Sequence, residues 1–150
     1  MRQVQSVALR SWRFTYRKIF STKTIERRVS TYYSEQSFEQ YVFPRLRKGN
    51  DWFCVVLDGK RLIGFSHISR RRIGWELLRI YLLPKYIGKG IGRKLLQLGE
   101  EFLRAKMAKR YYVSAHRKNR LAVEFYIRSG FTRAPGRDAG GEVYLEKRLR

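Results

Sequence analysis

The chain has 150 residues, of which 43% are hydrophobic, with 34 Lys plus Arg against 12 Asp plus Glu and a formal net charge of +22. That length suits one domain, residues 1–150, with a sizeable core, and the apolar share excludes a disordered chain. Apolar runs such as Phe53–Leu57 are too short to cross a membrane, and Arg10, Arg13, Arg17 and Lys18 interrupt any signal-peptide core, so a cytoplasmic protein is expected.

The single cysteine, Cys54, allows no intramolecular disulfide and reads as a small core residue in a strand-like run. The excess of positive charge predicts attraction to polyanions, nucleic acid among them, although no nucleic-acid-binding motif accompanies it. The two histidines and the cysteine are far apart, which gives no metal-ligand spacing. There is no GxSxG elbow for a hydrolase triad.

Residues 3–19 read as an amphipathic helix with Val4, Ala8, Trp12 and Tyr16 on one face. A second helix is predicted over Thr24 to Tyr33. A third opens at Ser34 or Ser37, where Ser37 and Gln40 have capping-box spacing, and Pro44 is expected to end it. These helices carry Tyr32, Tyr33, Phe38, Tyr41 and Phe43, which read as core with some members available to line a cleft. Trp52 to Leu57 and Leu62 to Ile68 form a hairpin about Asp58-Gly59, and Trp75 to Leu83 follows as a third antiparallel strand.

Next comes Ile87-Gly88-Lys89-Gly90-Ile91-Gly92-Arg93, a glycine-dense turn that opens a helix. Free N–H groups at such a helix start suit an anion, and phosphate is the usual occupant. The spacing fits neither a P-loop nor GxGxxG, and no acid stands about twenty residues on. The helix is predicted from about Arg93 to Lys109, with Ile91, Leu95, Leu98, Phe102 and Ala105 buried and the Glu100–Arg104 pair on the wet side. A strand over Tyr111 to Ala115 leads to a helix capped by Asn119 and stopped by Gly130. Phe131 to Arg133 and Val143 to Lys147 read as closing strands.

The segment Ile87 to Gly92 resembles the acetyl-CoA signature Q/R-x-x-G-x-G/A of the GNAT family of N-acetyltransferases, with Ile87 in place of the usual Arg or Gln. Asn119, Ala122, Phe125, Tyr126, Gly130 and Phe131 resemble the family's later motif, N-x-x-A-x-x-F-Y-x-x-x-G-F. Ser11 to Tyr16 with Ile19, and His116-Arg117 before Asn119, are similar to the polyamine-acetyltransferase branch. The resemblance implies a mixed α/β fold with a central, mostly antiparallel sheet flanked by helices. The family's first strand has no room before the first helix, so it is either absent or formed by Arg2 to Val7. An uncovered sheet edge would then invite a homodimer.

By the same resemblance, acetyl-CoA is the cosubstrate. Amides of Ile87, Gly88, Lys89, Gly90, Ile91, Gly92 and Arg93 would hold its pyrophosphate. Ile80, Tyr81 and Leu82 would pair with its pantetheine arm, and Asn119 would touch it. Tyr126 stands at the position of the acid for the thiolate. Glu76 resembles the position of a glutamate base, and strand alternation puts it on a face with Leu78 and Ile80. His67 and His116 are lesser candidates. The acceptor is expected to be a small polyamine-like amine, with a lysine or N-terminal amine of a protein as the alternative. A basic protein that only binds CoA or nucleic acid is the non-enzymatic alternative. A polycation would need the acids Glu35, Glu39 and Glu76 to cluster at the cleft mouth of so basic a protein.

Overall fold

The fold is that of a computed structural model describing residues 1–150. Helices α1 (Arg2–Tyr16) and α2 (Thr22–Tyr32) open the chain. A short helical stretch follows: α3 (Glu35–Ser37), one π-helical turn (Phe38–Val42) and α4 (Phe43–Arg47). Strands β1 (Asp51–Asp58), β2 (Arg61–Arg71) and β3 (Gly74–Leu82) lead into α5 (Ile91–Ala105). Strand β4 (Arg110–His116), α6 (Arg120–Arg128), β5 (Thr132–Arg133) and β6 (Glu142–Arg148) complete the chain.

The six strands lie in the order β1-β2-β3-β4-β6-β5. All neighbours are antiparallel except β3 and β4, which are parallel. The mixed, mostly antiparallel sheet flanked by helices is the expected class. Arg2 to Val7 is helical rather than extended, so β1 is an edge strand, with Val55 43% and Leu57 58% exposed. No helix is long and apolar enough to cross a membrane.

Each sheet face buries its own apolar cluster. Val4, Val7 and Ala8 of α1 and Ile25 and Val29 of α2 pack with Tyr33, Phe38 and Phe65 on one face. Ile68, Trp75 and Leu77 meet Leu96 and Leu103 of α5 and Tyr126 of α6 on the other.

Several expectations need correction. Pro44 does not end the third helix. The π turn inserts a residue before it, and Pro44 falls in the first turn of α4, where a missing N–H breaks no bond. Ser34, not Ser37, caps α3, accepting from the Ser37 N–H at 3.1 Å. In α5 the buried positions are Leu95, Leu96, Gly99, Glu100 and Leu103, whereas Ala105 is exposed. Glu100 is therefore not on the wet side. It accepts from Tyr111 Oη at 2.8 Å and from Lys147 Nζ at 2.6 Å.

Candidate active site

The sheet splits where β3 and β4 part. They pair only from Trp75↔Tyr111 to Leu77↔Val113, and beyond that point Leu78–Leu82 and Ser114–His116 diverge. A bulge marks the split. His67 faces Arg79 and Ile68 faces Leu77, which leaves Leu78 as the extra residue. Such a bulge turns the strand and leaves backbone groups without ladder partners, at a position where an extended ligand can pair.

The bulge also changes the expected company of Glu76. Its partners in register are Ser69 and Tyr112, and the extra residue puts it on the side of Leu78, Arg79 and Tyr81, with Ile80 turned to the opposite side. Glu76 is half-buried and has no hydrogen-bond partner. Burial raises its pKa, and the charges of Arg71 and Arg137 pull it only part of the way back.

Beyond β3 the chain makes a 3₁₀ turn over Pro84–Tyr86 and then the glycine turn. Gly88 has φ +81° and Gly90, the N-cap of α5, has φ +82°, where a side chain is strained. Gly92 is needed for packing instead, since a Cβ there would lie 3.1 Å from Phe125 Cζ of α6. No side chain caps α5 and its first turn holds no acid. The amides of Gly88 to Arg93 have no protein acceptor, the first internal bond being Lys94 N–H to Gly90 O at 3.1 Å. These open donors, with Lys89, Arg93 and Lys94 beside them, fit a phosphorylated ligand.

Tyr126 is 6% exposed and packs against Phe125 and Phe131 with ring separations of 5.4 and 5.5 Å. Burial raises its pKa well above the ordinary tyrosine value, and the nearby Tyr81 and Tyr16 hydroxyls add to the rise. The hydroxyl therefore stays protonated. Asn119 caps α6 by accepting from the Ala122 N–H at 3.2 Å, and Tyr16 of α1 lies against it. Tyr126, Tyr81 and Asn119 thus come together at the split, with Tyr16 as a member that sequence reasoning left on a helix face. Glu76 stands farther back, where β3 and β4 are still paired.

On the α2 side of the split lies a cleft of about 770 Å³ lined by Tyr32, Tyr41, Asp51, His67, Arg71 and Arg79, among others. His67, a lesser candidate in the sequence, is buried and engaged at both ring nitrogens. Its Nε2 is 2.8 Å from Asp51 Oδ2 and its Nδ1 is 3.3 Å from Arg79 NH1. Asp51 and Arg79 were missed. A charged residue inside the apolar run Leu77 to Leu82, and an acid on the threshold of an apolar strand, were the available signals. His116 lies at the other end, its Nδ1 accepting from the Lys118 N–H at 3.2 Å.

The acetyltransferase (GNAT) family profile matches residues 10–131. The chain is 31% identical to a spermidine N(1)-acetyltransferase of Thermoplasma acidophilum over 125 residues, which is 83% of this chain and 78% of that one. Its fold superposes with TM-score 0.91 and 28% identity on the PaiA N-acetyltransferase of Thermoplasma acidophilum in complex with coenzyme A, over 98% of this chain and 91% of that one. An acetyltransferase of Thermus thermophilus has the same fold at TM-score 0.72 and 17% identity, over 97% and 88% of the two chains.

Proposed function

The chain belongs to the acetyltransferase (GNAT) family and is an N-acetyltransferase that uses acetyl-CoA, and on that premise we propose that it acetylates a primary amine by direct attack on the thioester. Amides from Gly88 to Arg93 hold the pyrophosphate, whereas the expected Ile87 N–H is spent on the Pro84 carbonyl at 3.2 Å. Backbone groups of Ile80, Tyr81 and Leu82 hold the pantetheine arm, and one of their N–H groups steadies the carbonyl oxygen as it gains charge. Asn119 adds a contact from the cap of α6.

Glu76 takes a proton from the acceptor ammonium, directly or through water, because an amine with pKa near 10.4 cannot attack while protonated. The freed nitrogen bonds to the acetyl carbon and the carbon–sulfur bond breaks. Tyr126 gives its proton to the departing sulfur and is restored from the amide nitrogen's proton through solvent. The observation that carries this reading is the split sheet, with the open amides of Gly88–Arg93 on one side and the protonated Tyr126 on the other.

A polyamine-like acceptor is supported by the likeness to a spermidine acetyltransferase. A lysine or N-terminal amine on an acidic polypeptide is the second reading, supported by the net charge of +22. The test is thiol release from acetyl-CoA with spermidine, spermine, a lysine peptide and an N-terminal peptide, with Tyr126→Phe and Glu76→Gln beside the parent. Turnover with one amine class that both substitutions slow supports the assignment. Full turnover in both variants removes their roles.

A homodimer through the β1 edge belongs to the same reading, supported by exposed Val55 and Leu57, and sedimentation of the purified chain decides it. Nucleic-acid binding has only the charge in its favour, and binding of that origin falls steeply with salt.

A further inference from the structure

We propose that the cleft over β2 and β3 binds an anionic group carried by the acceptor, held by Arg79 and Arg71, so that amines bearing a carboxylate or phosphate are preferred to polyamines. The inference rests on the transferase reading of this site and opposes its polyamine branch.

The cleft wall is positively charged. The acidic and basic groups in it, besides His67, are Arg45, Arg71, Arg79 and Asp51. Asp51 is already committed. It accepts from Ser69 Oγ at 2.7 Å, from Arg45 Nε at 2.9 Å and from His67 Nε2 at 2.8 Å. That pairing balances Arg45 and leaves Arg79 and Arg71 in no ion pair, although Arg71 is near enough to Glu76 to lower its pKa. Glu35, Glu39 and Glu76, the acids a polycation would need at the mouth, are all absent from the lining.

Arg79 is held in place before any ligand arrives. The Arg79 guanidinium lies 4.8 Å from the Tyr33 ring centre and 5.3 Å from that of Phe38. It donates to His67 Nδ1 at 3.3 Å and to the Tyr32 carbonyl at 3.4 Å. Both bonds are long and both acceptors are neutral. With Nε2–H donating to Asp51, His67 is left with Nδ1 as its acceptor, so the imidazole orients Arg79 without neutralising it. A guanidinium has five N–H donors in a planar fork that matches carboxylate and phosphate. Two are used here, and the aromatic faces hold the rest in place.

Tyr33, under the guanidinium, is 6.0 Å from Tyr81 by ring centres, and Tyr81 neighbours Tyr126. Arg71 stands beside Glu76. An anion on the two arginines is thus tied to both ends of the proposed machinery. Ser34 and Ser37 hydroxyls on the same wall offer further donors.

The test compares kcat/KM for spermidine, a lysine peptide flanked by aspartates, one flanked by phosphoserines, its neutral counterpart, and free glutamate as a small amine with a carboxylate. The acidic acceptors are expected to exceed the neutral peptide by about tenfold or more, the worth of one charge-assisted hydrogen bond. Whichever acidic arm leads identifies the source of the anion. Arg79→Gln is expected to cut that preference about tenfold, chiefly through KM, and Arg79→Lys to restore part of it. Arg71→Gln, at an exposed position that folding tolerates, is expected to lower it in the same sense.

Equal use of acidic and neutral peptides, or a preference unmoved by Arg71→Gln and Arg79→Gln, overturns the proposal and leaves the transferase reading standing. If no amine turns over, the transferase reading fails separately. Calorimetric binding of the acidic peptide to the CoA-loaded protein still decides the subsite, supporting it where Arg79→Gln weakens binding about tenfold and overturning it where the peptide does not bind.

Discussion

His67 Nε2 lies 2.8 Å from Asp51 Oδ2 on the floor of the cleft, with the two side chains 2% and 1% exposed. Burial is the chief influence on His67 and lowers its pKa, with the Arg79 and Arg45 charges, against the upward pull of Asp51. Burial alone would raise Asp51, but hydrogen bonds from His67 and Ser69 and the nearby positive charges outweigh it and hold the carboxyl below its usual range. Both groups refuse protons that the unfolded chain accepts. Their contribution is therefore complete above the unfolded histidine value of about 6.5 and lost as pH falls, first through His67 and then, below about 3.9, through Asp51. Urea midpoints are expected to fall on acidification from about pH 7 to pH 5, and His67→Gln to flatten that fall. A midpoint that rises over this range contradicts the assignment.

Glu76 and Tyr126 have opposite protonation needs and their surroundings satisfy both. Burial raises Glu76, so the acid limb of kcat/KM is expected above the ordinary glutamate value of about 4.3. Glu76→Gln should erase that limb. Arg71→Gln should move it upward, because Arg71 lowers Glu76. Tyr126→Phe should reduce kcat by about a hundredfold while the KM for acetyl-CoA changes little. A kcat within a factor of about two of the parent would return Tyr126 to a packing role.

The fold was legible where local chemistry decides it. Asn119 and Gly130 marked the ends of α6, and three glycines marked the turn before α5. What stayed hidden is set by tertiary packing. The bulge at Leu78 inserts one residue into a strand whose sequence alternates no differently, yet it turns Ile80 to the face opposite Glu76. The π turn before Pro44 carries no signature in Phe38 to Val42, and it alone keeps the helical path going. Asp51 and Arg79 are far apart in the chain, and only the β1-β2-β3 register brings them to the two sides of His67.

The glycine turn makes a separable prediction. Gly88→Ala and Gly90→Ala put a Cβ on backbone at φ +81° and +82°, each costing about 1 kcal/mol and distorting the donor array. Space is free around both positions, so strain is the whole cost there. Gly92→Ala keeps a helical backbone but meets the Phe125 ring at 3.1 Å. It should push α6, and with it Tyr126, away from the split. Calorimetry with acetyl-CoA is expected to show weaker binding for the first two, whereas Gly92→Ala should lower kcat more than affinity.

Glu100 is the place where stability and chemistry come apart. Its carboxylate is buried on the α5 side of the sheet and takes Lys147 Nζ at 2.6 Å, Tyr111 Oη at 2.8 Å and Arg104 NH2 at 3.4 Å. Glu100→Leu removes the acceptor for all three and leaves Lys147 half-sunk without a partner, a loss of about 3 kcal/mol. Lys147→Met alone leaves the buried carboxylate only Tyr111 Oη and the long Arg104 contact, and should cost a similar amount. Replacing both, as Glu100→Leu with Lys147→Met, removes both desolvated charges and should recover most of the loss, because the attraction between buried charges does little more than offset their desolvation. Urea denaturation of the four proteins closes the cycle. A double variant as weak as the sum of the single ones would mean that the two charges are not coupled and that each acts through its other contacts with β4, β6 and α5.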